Sequence, residues 1–172
     1  MKIERVILGL VVLLVGCGPQ APQIPSQRKS QAPQVDSAQL ALMELNRQLA
    51  QAADEQLAAL VQAQPETYAL YENNTWCTLL ELGDTDGPTP KPGEEWSLHM
   101  RTYSLSGKLY TDSEGTYRVG KQELPPAIDN NIFEWHHGTR VRLFAPWYSA
   151  YGLKGTDAIP PYENVMIELE LK

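Results

Sequence analysis

The hydrophobic period of this chain changes at Pro65, and the change dictates a different kind of structure on each side. Before Pro65, Leu42, Leu45, Leu49, Ala52 and Ala53 recur at helical spacing, and Leu57, Leu60 and Val61 continue the stripe. Asp36 or Ser37 offers an N-cap, so the pattern predicts a helix over residues 36–64 that the proline terminates. Such a helix has to bury its apolar face, either on the domain that follows or on a second copy of itself. Beyond Pro65 the period is two. Trp96, Leu98 and Met100 alternate with Ser97, His99 and Arg101, and Val141, Leu143 and Ala145 with Arg140, Arg142 and Phe144. Val165, Ile167, Leu169 and Leu171 alternate with Met166, Glu168 and Glu170. Each reads as a strand with one face in the core and one in water, as in an antiparallel sheet. Residues 75–82 read as a further strand. Pro125-Pro126 can open a helix in which Ile128, Ile132 and Trp135 share a face, with Gly138 placed to end it as the C′ residue. One short helix on a curved antiparallel sheet is an α+β domain.

The N-terminus carries a second message. Lys2 and Arg5 precede an apolar run, residues 6–15, that ends at Leu14-Val15-Gly16-Cys17. A basic start, a short apolar stretch and small residues before a cut site describe an export signal over residues 1–16. The run is too short to span a bilayer, which takes roughly 20 residues. The Leu-Val-Gly-Cys order resembles a bacterial lipobox, in which Cys17 becomes the lipid-modified first residue of the mature protein. Each buried methylene of an acyl chain contributes about 0.8 kcal/mol, so a multiply acylated Cys17 would hold firmly. Residues 17–35 are rich in Pro, Gln and Ser and almost free of large apolar residues, which makes them a disordered tether. The expected location is the cell envelope, lipid-anchored on an extracytoplasmic face, and Gly18 after Cys17 points to the outer membrane if lipoprotein sorting rules apply.

Charge and cysteine narrow the partners. Removing residues 1–16 deletes Lys2, Arg5 and Glu4, so the formal charge of −7 becomes −8. An acidic surface argues against nucleic acid and against electrostatic docking on anionic lipid. With Cys17 acylated, Cys77 stands alone and reads as a buried strand residue, so the domain is held by its core. His136 and His137 are adjacent near a helix end and His99 lies on a distant strand. Neighbours on a helix point about 100° apart, which does not make a metal clamp. No metal and no cofactor are expected.

Ala150-Tyr151-Gly152, followed one short loop later by Ile159-Pro160-Pro161 and a strand-like tail, resembles the C-terminal signature of the FKBP-type peptidyl-prolyl isomerases. Pro92-Gly93, Gly107, Val119-Gly120-Lys121-Gln122-Glu123-Leu124 and Gly138 fall where that family places its turns and pocket wall. The resemblance covers residues 75–172 and implies an FKBP-like curved sheet wrapped on one short helix. It also implies prolyl isomerisation, with proline-containing polypeptides as substrate. That reaction needs no nucleophile, metal or base. Its barrier of about 18–20 kcal/mol comes from amide resonance. An apolar pocket favours the twisted amide, which has less charge separation, while donors hold the flanking carbonyls.

The resemblance implies a catalytic pocket of Tyr151, Tyr110, Ile128, Leu124 and Ile159, with Met100, Tyr117 and Ile167 binding substrate. Tyr151 falls on the tyrosine whose hydroxyl holds a substrate carbonyl, Ile159 on the aliphatic flap residue, Tyr110 on a wall aromatic and Leu124 on the wall residue after the Gln-Glu pair. Tyr117 supplies a nearby aromatic across a loop at residues 112–115. The chain also departs from the family. Ile128 stands where a Trp usually forms the floor, and Met100 and Ile167 replace a Tyr and a Phe. Thr111 replaces an acidic residue, and strand alternation points Asp112 to the opposite face. Pro125 stands where a backbone N–H usually binds a carbonyl, and proline has none. The expected pocket is apolar, wide and poor in donors, with weak activity. A noncatalytic binding or chaperone module on the same fold is the alternative, as is a structural lipoprotein dimerised through the N-terminal helix.

Overall fold

The structure is a computed structural model that describes residues 36–172. The signal segment, the tether and Cys17 lie outside the described residues. Helix α1 spans Ser37–Gln62. Among the described residues six strands follow: β1 (Ala69–Leu70), β2 (Trp76–Glu81), β3 (Glu95–Ser104), β4 (Leu109–Arg118), β5 (Arg140–Ala145) and β6 (Val165–Leu171). They form one antiparallel sheet in the order β1-β2-β5-β6-β3-β4. A four-residue helix, α2 (Pro126–Asp129), packs on its inner face.

Alternation builds that face as expected. Leu98 and Met100 of β3, Val141, Leu143 and Ala145 of β5, and Val165, Ile167, Leu169 and Leu171 of β6 are all buried with Cys77 of β2. Ala127, Ile128, Ile132 and Trp135 cover them from the other side. A fully buried Leu or Ile contributes about 1.5–3 kcal/mol, so this layer supplies most of the driving force for folding.

The helix expected to run from the prolines to Gly138 is broken. After α2 the chain turns at Asn130 and Asn131 and makes a single 3-10 turn at Ile132–Glu134. The Asn131 amide donates to Ala127 O at 2.9 Å, taking an acceptor the helix would have used. Gly138 does have a positive φ of 81°, but it turns the chain into β5, and its N–H bonds Leu171 O at 2.8 Å. The loop expected at residues 112–115 is also absent. Those residues lie within β4, with Gly115 opposite Leu98. The outer position of β4 hides the strand, because its alternation is between exposed and half-buried residues.

The outer face of the sheet is not wholly solvent. Trp76, Phe144, Met166 and Tyr103 form one cross-strand row. Phe144, expected to face water, is buried against Leu57, Val61 and Tyr68, because α1 lies across that end of the sheet. Only the second half of α1 packs. Ala53, Leu57 and Val61 are buried, whereas Leu42, Leu45 and Leu49 remain 56%, 50% and 37% exposed. Four residues on a 3.6-residue helix overshoot one turn by about 40°. The row 45, 49, 53, 57, 61 therefore slides round the helix and cannot stay on one flat surface. Polar contacts pin the packed half. Tyr148 Oη donates to Asp54, and the Asn74 amide reaches Asp54 Oδ2 at 3.1 Å and Tyr148 Oη at 3.0 Å.

Candidate active site

The eight residues singled out in the sequence all belong to the inner core or pack against it. Met100, Leu124, Ile128, Ile159 and Ile167 belong to one buried apolar cluster, and Tyr110, Tyr117 and Tyr151 pack against it as half-buried rings. The tyrosines, the rim, keep part of their surface accessible, whereas the aliphatic residues, the wall, are sealed beneath, Ile128 and Ile167 at 0% and Ile159 at 1% exposure.

Each rim residue is set by its own local device. Tyr151 follows the 3-10 turn Trp147–Ser149 at the end of β5. Gly152, with φ +72°, returns its N–H to Trp147 O at 2.8 Å and fixes the exit of that turn. The Tyr151 hydroxyl lies 3.0 Å from Thr102 Oγ1. Burial pushes its pKa above the ordinary tyrosine value, which keeps it a neutral donor. Tyr110 is the extra residue of a β-bulge, since Thr102 pairs with Thr111 while Tyr103 pairs with Leu109. Bulges re-aim a side chain. Here the Tyr110 hydroxyl donates to Glu163 Oε1 at 2.8 Å, and Lys108 Nζ sits 5.3 Å from the ring centroid. The hydrogen bond to Glu163 is the main cause that raises the Tyr110 phenol above its usual range.

The wall is held by backbone clamps. The Asp129 carboxylate at the end of α2 accepts from Gly120 N at 2.6 Å and Gln122 N at 3.0 Å, which pins the loop carrying Leu124. Pro125 accepts at its carbonyl from Ile128 N and Asp129 N and contributes no donor of its own. The flap bearing Ile159 is closed by Thr156 N to Ile159 O at 2.8 Å and by Ile159 N to Thr156 Oγ1 at 3.1 Å. Gly155 has φ +63°, and a Cβ there would come within 2.1 Å of Ile159 O, so no other residue fits this turn.

A family model for FKBP-type peptidyl-prolyl cis-trans isomerases matches residues 87–172, half of the chain. The chain belongs to that family. The FKBP match begins after β2, yet the first two strands and α1 are packed onto the same sheet. A peptidyl-prolyl cis-trans isomerase from Pseudomonas syringae pv. tomato, known from a 1.6 Å crystal structure, shares 22% identity and the fold. It superposes with a TM-score of 0.61 over 73% of this chain and 92% of its own. No curated protein matches. The activity class is therefore prolyl isomerisation of the FKBP type.

In this FKBP domain the histidines are engaged separately. His99 Nε2 lies 2.6 Å from Asp112 Oδ1 on the outer face, so Asp112 does not reach the pocket. His136 Nδ1 lies 2.9 Å from Gly87 O, and the His137 ring packs 6.4 Å from that of Trp96. Cys77 is buried, and its thiol is pushed up to about 12, chiefly by burial and secondarily by Glu134. Sequence reasoning did not single out Thr102, Asp129 or Glu163. One signal was available. Thr102 continues the inward row Leu98, Met100, and a polar residue in a buried row needs a partner.

Proposed function

We propose that this FKBP-type isomerase is anchored to a membrane through Cys17, acts on proline-containing stretches of folding polypeptides outside the cytoplasm, and turns over short peptides slowly. The observation that carries the chemistry is Tyr151, a neutral phenol beside an apolar wall of Leu124, Ile128 and Ile159. A proline ring that displaces the tyrosines and seats against that wall leaves water behind, which favours the twisted amide over the more polar planar one. The phenol holds a flanking carbonyl while the other end of the bond rotates. Two departures lower the expected rate. Pro125 lacks the N–H that would hold a second carbonyl, worth about 0.5–1.5 kcal/mol net and hence up to about tenfold. Ile128 offers a proline ring less contact area than an indole would.

Pro125 also favours the second reading, a binding module that grips proline-containing chains without turning them over. Measuring cis-trans isomerisation of a short Xaa-Pro peptide by residues 18–172 separates the two. Slow but measurable turnover, reduced further by Tyr151→Phe, supports the enzyme. A folded protein with no turnover supports the binding module, and a rate equal to that of an ordinary FKBP removes the argument from Pro125. Anchoring rests on the residues around Cys17. Cys17→Ser should release the protein from membranes or leave it unprocessed, and an unchanged yield of processed, membrane-bound protein refutes the anchor.

A further inference from the structure

We propose that Thr102 is a positioning residue for the isomerase: its buried hydroxyl donates to the Tyr151 oxygen and thereby turns the phenol proton out toward the substrate carbonyl. The inference rests on Tyr151 being the group that holds that carbonyl.

Thr102 sits in the middle of the sheet, opposite Thr111 on β4 and Ile167 on β6, and is fully buried. Met100, two residues before it on the same face, and Ile167 beside it are buried and apolar. Among the described residues the hydroxyl has one hydrogen-bond partner, the Tyr151 oxygen at 3.0 Å, contributed by a residue 49 positions later in the chain. Either oxygen could donate, and the surroundings decide between them. If the phenol donated to Thr102, the threonine proton would be left without an acceptor where water does not reach. An unpaired buried donor is costly. If Thr102 donates, both of its needs are met by one bond, and the phenol keeps its own proton for another acceptor. Tyr151 is only half-buried, so that proton is free for solvent or a substrate carbonyl.

The arrangement has a second effect. A hydroxyl that accepts a hydrogen bond becomes a better donor, because the two bonds polarise each other. Thr102 therefore orients the phenol and also strengthens its grip on a carbonyl. The contact with Thr102 lowers the Tyr151 pKa, opposing the larger upward push from burial. Strand geometry holds the donor still, since a β-branched threonine in a sheet has restricted χ1 freedom.

The test uses the full chain with four substitutions: Thr102→Val, which keeps the branched shape and loses the hydroxyl, Thr102→Ser, Tyr151→Phe, and Thr102→Val combined with Tyr151→Phe. Thr102→Val should lower kcat/KM on an Xaa-Pro peptide about two- to tenfold, the range for one neutral hydrogen bond. Thr102→Ser should recover most of it, and Thr102→Val should have no further effect once Tyr151 is Phe. An equal loss in both backgrounds would assign Thr102 a packing role only and overturn the proposal, as would wild-type activity for Thr102→Val. If Tyr151→Phe alone leaves kcat/KM unchanged, the reading of Tyr151 fails and takes this inference with it. A readout independent of turnover is the phenol titration followed by ultraviolet absorbance, with Tyr151→Phe identifying the signal. Its midpoint should rise in Thr102→Val and stay near wild type in Thr102→Ser. An unmoved midpoint in Thr102→Val refutes the hydrogen bond itself.

Discussion

Replacing Asp129 with alanine should loosen the pocket wall without touching a wall residue. The carboxylate is 6% exposed and accepts two backbone N–H bonds, at 2.6 Å from Gly120 and 3.0 Å from Gln122. A hydrogen bond to a charged group is worth about 1.5–3 kcal/mol net, so the two set an upper bound near 6 kcal/mol. Two effects bring the figure down. The bonds share one acceptor group and are not additive. Gly120 and Gln122 are themselves exposed, so water can reach their N–H groups once the carboxylate is gone. The expected loss is about 2–3 kcal/mol, measured by urea unfolding. Asp129→Asn keeps one acceptor and turns an amide N–H toward the other donor, so it should fall between wild type and alanine. Activity should fall alongside stability, because Leu124 lies at the end of the freed loop. A loss under about 1 kcal/mol for Asp129→Ala would refute the clamp.

Leu57 is fully buried between α1 and the sheet, so Leu57→Ala should cost about 2–5 kcal/mol in chemical denaturation, whereas Leu49→Asp, at a 37% exposed site, should cost under about 1 kcal/mol. If Leu49→Asp changes the sedimentation coefficient, the unpacked half of α1 joins two copies. The Tyr148 phenol is raised from 10.0 to about 12, first by burial and then by Asp54. The folded state therefore prefers the protonated form, and this contribution is complete below pH 10.0 and disappears between there and about 12. Tyr148→Phe should flatten that part of the stability profile, and an unaltered slope counts against the contact. Cys77, with its thiol near 12, should resist a disulfide reagent at pH 8 in the native protein and react at once when unfolded. Gly155→Ala should displace the Ile159 flap, lowering kcat/KM and stability together, and wild-type behaviour would contradict the close approach.

How much of this was legible in the sequence depends on where each residue's partner lies. β3, β5 and β6 bury one face each, and their alternation records it. β4 buries little, so Asp112 to Gly115 look like a loop although they pair residue for residue with β3. The apolar spacing of Ile128, Ile132 and Trp135 predicts one helix, but the break between them comes from Asn131 bonding Ala127, a competition that periodicity does not register. The stripe on α1 was readable, and its division into packed and open halves was not, because that depends on the slow rotation of a four-residue row against a sheet of limited width. The apolar and tyrosine members of the site came from the resemblance to FKBP-type isomerases. Thr102 and Glu163 acquire their parts only from side chains 49 and 53 residues away, a distance no local pattern spans.

The polar outer strand has a consequence for the company this protein keeps. An isomerase of proline-containing polypeptides meets extended segments able to pair with a strand, and any open sheet margin invites them. β4 is ten residues long and lies at such a margin. It carries Asp112 and Glu114, already committed to His99 and Lys172, and ends in Arg118. Joining another strand there would strip water from those charges. The margin is thereby kept from acting as glue, and an extended polypeptide that meets it is not drawn into the sheet.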